Sequence, residues 1–134
     1  MIKIEHIGIA VHDLEKSELL FEKLLGVPKY KTEKVSTENV TTSFYTIGES
    51  KIELLQGQDP DSAITKYLER RGEGIHHIAF LVDDIQKEIK RLKEEGFEFV
   101  ADQPKNGADN KIICFLHPKK TNGVLIELCQ EMKK

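Results

Sequence analysis

Two segments of this chain repeat each other, in order. His6-Ile-Gly-Ile-Ala-Val-His-Asp-Leu-Glu-Lys16 aligns with His77-Ile-Ala-Phe-Leu-Val-Asp-Asp-Ile-Gln-Lys87, with His, Ile, Val, Asp and Lys shared at matched places. Ile52-Glu-Leu-Leu-Gln56 aligns with Ile126-Glu-Leu-Cys-Gln130, sharing Ile, Glu, Leu and Gln. Both matches are separated by roughly 70 residues, so the chain is read as a duplicated unit of that size. Duplication fixes the architecture more tightly than any local propensity does. Two copies of one small unit must each fold alike and cover each other's apolar face.

Each copy reads the same way. An apolar strand (about 2–11, then 74–82) is followed by Asp13 or Asp84, suited to cap a helix. The first helix is expected to run to about Leu25, with Leu14, Phe21, Leu24 and Leu25 on its apolar side. The second is expected to run to about Glu95, with Ile85, Ile89 and Leu92 at helical spacing. Gly26 and Gly96 stand where a glycine ends a helix. Three strands are expected after each helix: 29–34, 40–47 and 51–56 in the first copy, and 98–101, 112–116 and 124–130 in the second. Gly48-Glu49-Ser50 and Lys119–Gly123 are the turns before the last strands. Between the copies, Pro60 suits a helix start, Ser62–Arg71 reads as a short helix, and Arg70-Arg71-Gly-Glu-Gly74 reads as a linker with solvated arginines. The expected class is α+β. Residues 1–57 form a first βαβββ module, 58–73 a connecting helix and linker, and 74–134 a second βαβββ module, all within a single domain 1–134. Paired modules of this kind leave a cleft to which both contribute.

Composition narrows the function. The 134 residues suffice for about one domain, and 39% hydrophobic residues supply a core. Charged residues make up 32%, with 20 basic against 23 acidic, for a net charge of −3. The signs are mixed along the chain, without the basic stripe of a nucleic-acid-binding domain or the apolar poverty of a disordered one. No apolar run approaches the ~18 residues of a membrane span. The opening Met1–His6 has no basic segment leading into an apolar stretch, so no secretory leader is expected. Cys114 and Cys129 lie in apolar surroundings with no CxxC spacing. They are read as buried, inert thiols of a cytoplasmic protein.

The repeat also places four ligand-type residues at matched positions: His6, Glu53, His77 and Glu127. Residues alternate between the two faces of a strand, so His6 shares a face with Gly8 and Ala10, and His77 with Ala79 and Leu81. A glutamate inside Ile52-Glu-Leu-Leu or Leu-Ile-Glu-Leu-Cys is costly to bury without a counter-charge. Taken singly, His6 would read as a structural histidine and Glu127 as an edge-strand residue facing water. Taken as a set, two imidazoles and two carboxylates match a divalent ion in charge. Such a set suits Zn, Co, Mn, Ni or Fe(II). Six-coordination leaves two positions for a substrate with two oxygens, whereas a closed tetrahedral set would be structural; the sequence is compatible with both. The strand parity of His76 turns it away from His77, and His12 and His117 have no counterpart in the repeat.

On these residues the chain resembles the vicinal oxygen chelate (glyoxalase-like) superfamily of paired βαβββ modules. Within it the chain is similar to the methylmalonyl-CoA epimerase family, through Gly74-Ile-His-His-Ile78, Phe115-Leu-His-Pro-Lys119 and Gly123-Val-Leu-Ile-Glu-Leu128, with Asp61-Ser-Ala-Ile64 and Val82-Asp-Asp-Ile85 in support. The resemblance covers essentially the whole chain. It implies one divalent metal ion per subunit (Co, Zn, Mn or Ni) held by His6, His77 and Glu127, a cytoplasmic homodimer, and a coenzyme A thioester substrate. Some epimerases carry glutamine at this position; this chain has Glu53, the residue of the glyoxalase branch, so Glu53 is open between ligand and base. The implied reaction removes the proton alpha to the thioester and returns it on the other face, with Glu53 and Glu127 as the candidate catalytic groups. The third strand, Val40-Thr-Thr-Ser-Phe44, carries no acid, so a second base is unassigned. Lys119 is a candidate for the substrate carboxylate or a coenzyme A phosphate, against a solvated turn lysine; Lys105 and Lys111 are weaker candidates. Rival readings are a glyoxalase I-type lyase acting on a glutathione hemithioacetal, an Fe(II) dioxygenase, and a drug-binding resistance protein of the same fold.

Overall fold

The computed structural model describes residues 1–132. The elements follow the order β1 (Lys3–Ala10), α1 (Leu14–Leu25), β2 (Lys31–Val35), β3 (Val40–Ile47), β4 (Ser50–Gly57), α2 (Ala63–Arg71), β5 (Gly74–Leu81), α3 (Ile85–Glu94), β6 (Lys105–Asn106), β7 (Lys111–Leu116), a 3-10 turn at Pro118–Lys120, and β8 (Ile126–Glu131). The chain divides into two compact units, one of residues 6–76 and one of residues 77 onward joined by Met1–Glu5.

In the unit of residues 6–76 the strand order is β2-β3-β4-β1, with β3 antiparallel to both β2 and β4, and β1 parallel to β4. Parallel pairing needs a crossover, and α1 begins it. Asp13 caps α1 by accepting from Lys16 N–H at 3.1 Å, and Gly26 ends it at φ 71°, where a side chain would be strained. Val11, Leu14, Tyr45 and Leu54 form the core under the helix, with Phe21, Leu25 and Ile52 packed against it.

One helix expectation is corrected. Leu24 is 70% exposed, and the buried side of α1 instead includes Glu18. At 100° per residue, positions 14, 18, 21 and 25 form the stripe, and 24 falls outside it. Glu18 accepts from Lys29 Nζ at 2.7 Å, Ser43 Oγ at 2.5 Å and Thr32 Oγ1 at 3.4 Å. Burial pushes its carboxyl up, but these donors and the Lys29 charge outweigh it and hold the group below the usual carboxylate value. Tyr45 beside it is pushed up to about 12 by burial, with Glu22 and Glu18 adding in the same direction.

Pro60 does not start α2. Ser62 caps it, accepting from Ile64 N–H at 3.2 Å, and Gly72 follows its end. The end of β4 runs so close to α2 that a Cβ on Gly57 would sit 2.0 Å from Thr65 Oγ1. Any larger residue there forces Thr65 and Ser62 to shift.

In the other unit the order is β5-β8-β7-β6, with β5 parallel to β8. Asp84 caps α3 as Asp13 caps α1, accepting from Lys87 N–H at 3.1 Å. Ile85, Ile89 and Leu92 bury one face of α3 against Val82, Cys114, Leu116 and Leu128; each such side chain contributes about 1.5–3 kcal/mol. The opposite face of this sheet holds a smaller cluster of Ala79, Ile113 and Cys129, flanked by Leu81 and Phe115.

The strand expected at 98–101 shrinks to a single bridge, flanked by Val100 N–H donating to Phe115 O at 2.9 Å and His117 N–H donating to Glu98 O at 2.7 Å. Phe99 makes one isolated bridge to Leu116, and regular pairing occurs only at Lys105–Asn106. Pro104 has no N–H to give a ladder and restricts Gln103 before it, so pairing resumes only after the proline.

The duplication extends to hydrogen bonds. Gln56 Oε1 accepts from Leu14 N–H at 2.6 Å, and Gln130 Oε1 accepts from Ile85 N–H at 2.7 Å. Val11 N–H donates to Leu55 O at 2.9 Å, and Val82 N–H to Cys129 O at 2.8 Å. The glutamine shared by the two repeats therefore ties the end of a central strand to the first turn of the helix.

Candidate metal centre

Each unit presents a buried histidine beside a buried glutamate, on the sheet face away from its helix. In the first, β1 and β4 pair so that Gly8 stands opposite Glu53. His6, two residues earlier, places Nδ1 3.0 Å from Glu53 Oε2, and both side chains are nearly closed to solvent. On its other side Glu53 faces Phe44 of β3.

The second unit repeats this register. Ala79 stands opposite Glu127, and Phe115 of β7 faces Glu127 from the other side. His77 Nε2 lies 3.4 Å from Glu127 Oε1. The Phe115 ring meets His77 edge-on at 5.7 Å. Both pairs therefore have the same origin: a small residue, Gly8 or Ala79, opposite the glutamate, with an aromatic residue on the far strand.

The buried donors suit a metal. His6, His77 and Glu127, and likewise Glu5, His6 and Glu53, are buried side chains of types that ligate an ion. A carboxylate held this far from water needs a counter-charge. Imidazole nitrogen and carboxylate oxygen together fit a borderline divalent ion.

The remaining histidines have other work. His76 packs edge-on against Tyr67 at 4.9 Å, and burial holds its imidazole down to about 4. His117 Nδ1 accepts from Lys119 N–H at 3.2 Å, capping the 3-10 turn. The His12 backbone N–H donates to Glu73 Oε2 at 2.9 Å. Lys119 Nζ sits 3.0 Å from Glu98 Oε1 and is about half exposed. Lys111 is buried and lies 3.8 Å from Asp109 Oδ2. Both cysteines are free and buried, and burial, with Glu127 adding to it, pushes the Cys114 thiol up to about 12.

Sequence reasoning missed Phe44 and Phe115, the aromatic walls of the two glutamates. Their matched places before the two Ile-Glu-Leu segments were the available signal. It also missed Glu5, 2% exposed in the same strand as His6.

A fold of two βαβββ copies with a buried imidazole–carboxylate pair in each defines a class. Residues 5–115 match the model of the Glyoxalase/Bleomycin resistance protein/Dioxygenase superfamily. An ethylmalonyl-CoA/methylmalonyl-CoA epimerase of Cereibacter sphaeroides is 39% identical, covering 96% of this chain and 97% of that protein. The mitochondrial methylmalonyl-CoA epimerase of Mus musculus is 35% identical over 96% of this chain and 72% of its own. A solved methylmalonyl-CoA epimerase in complex with methylmalonyl-CoA and NH4+ superposes with a TM-score of 0.93 at 34% identity, covering 98% of this chain and 95% of that one. The chain belongs to this superfamily and, within it, to the methylmalonyl-CoA epimerase family.

Proposed function

We propose that this protein interconverts the (R) and (S) epimers of methylmalonyl-CoA, with one divalent ion per subunit held by His6, Glu53, His77 and Glu127. The observation that carries the reading is the pair of buried imidazole–carboxylate contacts, one in each unit, in a chain matched end to end by epimerases. The donor set fits the ion in type and in charge, two neutral imidazoles and two carboxylates against +2.

The substrate carbon to be inverted lies between a thioester carbonyl and a carboxylate, so its proton is acidic for a C–H bond. When bound, the ion supplies a Lewis acid that favours negative charge on substrate oxygens. Inversion needs proton transfer on two opposite faces. The carboxylates assigned to it are Glu53 and Glu127, with Glu53 serving as ligand, base or both. Lys119 is assigned to the substrate carboxylate or a coenzyme A phosphate. In the structure it pairs with Glu98, so substrate contact requires exchange of one anion for another. The reading includes a homodimer in the cytoplasm. The two free thiols accord with a reducing compartment, and no helix among the described residues is long and apolar enough to cross a membrane.

Deuterium wash-in tests the reading. Metal-reconstituted protein is incubated with one epimer of methylmalonyl-CoA in D2O, and label and configuration are followed together. Incorporation accompanying epimerisation is expected. No exchange with Co, Zn, Mn or Ni overturns it. Glu53 in place of glutamine also favours a second reading, a glyoxalase I-type lyase. The hemithioacetal of methylglyoxal and glutathione, offered under the same metal loading, separates the two.

A further inference from the structure

Two adjacent hydroxyls of β3 are treated differently by the fold. Ser43 and Thr42 are both fully buried. Ser43 Oγ, on the helix side, donates to Glu18 and lies 3.1 Å from Thr32 Oγ1. Thr42 Oγ1 points to the other face and finds no hydrogen-bond partner among the described residues. Its cross-strand neighbours there are Leu55 of β4 and Glu33 of β2. Leu55 is apolar, and Glu33 Oε1 lies 3.2 Å from Lys31 Nζ.

A buried hydroxyl without a partner is a standing cost that valine would remove at nearly the same shape. Thr42 lies on the face that carries Glu53 and Phe44, one cross-strand pair away from the Phe44–Glu53 pair. That diagonal is roughly 7–8 Å between backbones, within the span of one small ligand. A buried polar atom without a protein partner, beside a candidate active-site carboxylate, is placed to be satisfied by what that site binds.

We infer that Thr42 is a substrate-orienting residue whose hydroxyl donates a hydrogen bond to an oxygen of the bound malonyl thioester. The inference deepens the epimerase reading and rests on it. The hydroxyl neither accepts nor releases the migrating proton. It holds the acyl group in the orientation that presents the C–H bond to the carboxylate.

The test compares Thr42→Val and Thr42→Ser with the wild-type protein. Deuterium wash-in with methylmalonyl-CoA is measured at matched metal content, alongside thermal unfolding without substrate. Thr42→Val is expected to lose roughly 10- to 100-fold in kcat/KM, the range of one hydrogen bond to a charged acceptor. The same variant is expected to melt about 2–5 °C higher without substrate, because it sheds an unsatisfied group. Thr42→Ser is expected to keep exchange within about threefold, since the donor is retained. Unchanged exchange in a folded Thr42→Val, or a lower melting temperature for it, overturns the inference. So does a Thr42→Ser as impaired as the valine variant. No exchange by the wild-type protein overturns the epimerase reading and this inference together, whereas exchange by wild type and valine variant alike overturns only this one.

Discussion

His6 and Glu53, far apart in sequence, meet at 3.0 Å because a parallel strand pair sets Gly8, not His6, opposite the glutamate. A residue two positions along a strand leans over its neighbour's partner, and glycine leaves the room for it to do so. The His77–Glu127 contact at 3.4 Å is built by the same offset across Ala79.

If these pairs hold an ion, removing one member of either pair removes the ion. His6→Ala and Glu127→Ala are each expected to copurify with less than about a tenth of the wild-type metal, in line with loss of a direct ligand. Exchange activity is expected to fall with it while far-UV circular dichroism is unchanged. Elemental analysis and wash-in measure both. Full activity of either variant after chelator treatment contradicts the assignment.

Glu18 makes the fold acid-sensitive. Its folded pKa lies below the unfolded value near 4.5, so its contribution is fully present above that value and is lost as pH falls through the folded one. Urea unfolding between pH 6 and pH 3 is expected to show this loss. Glu18→Gln is expected to cost about 1–3 kcal/mol at pH 7 through its buried partners and to flatten the acid slope.

Gly57 is a packing constraint. Gly57→Ala forces Cβ into Thr65 Oγ1 and Ser62 Oγ, at 2.0 and 2.9 Å. The expected cost is about 1–3 kcal/mol, as for overpacked sites, and Thr65→Ala in the same chain is expected to recover part of it.

Gln130 joins β8 to the start of α3. Gln130→Ala leaves Ile85 N–H without its 2.7 Å partner. A loss of about 1 kcal/mol is expected, comparable to a helix N-cap. Glu127 sits on the same strand, so metal content should be measured on the same preparation.

Much of this was legible because duplication writes the same instruction twice. Asp13 with Asp84, Gln56 with Gln130 and the two His–Glu pairs all occupy matched places, and chance does not repeat polar residues in order. What was not duplicated was harder to read. Glu18 has no counterpart acid on α3 in the matched position, and hydrophobicity alone favoured Leu24 over it. Strict helical period puts Glu18 inside the stripe and Leu24 outside it, and the stripe admits a carboxylate because Lys29, Ser43 and Thr32 surround it. The strand expected at 98–101 is cut to a single bridge because the chain bends at 101–103, ahead of Pro104. Thr42 was invisible for another reason. A threonine among Val40-Thr-Thr-Ser-Phe44 looks like ordinary strand filling until its neighbour's bonds are compared with its own.

Parallel pairing has a temporal consequence. β1 and β4 cannot meet until α1, β2 and β3 have been accommodated between them, and the same holds for β5 and β8 around α3, β6 and β7. Contacts of that sequence separation close late. Each His–Glu contact spans about 50 residues of chain, and a fragment ending after the first helix of either copy owns an imidazole without its acid. On the proposed metal reading, such a fragment lacks one carboxylate donor and is expected to hold the ion less tightly than the whole chain.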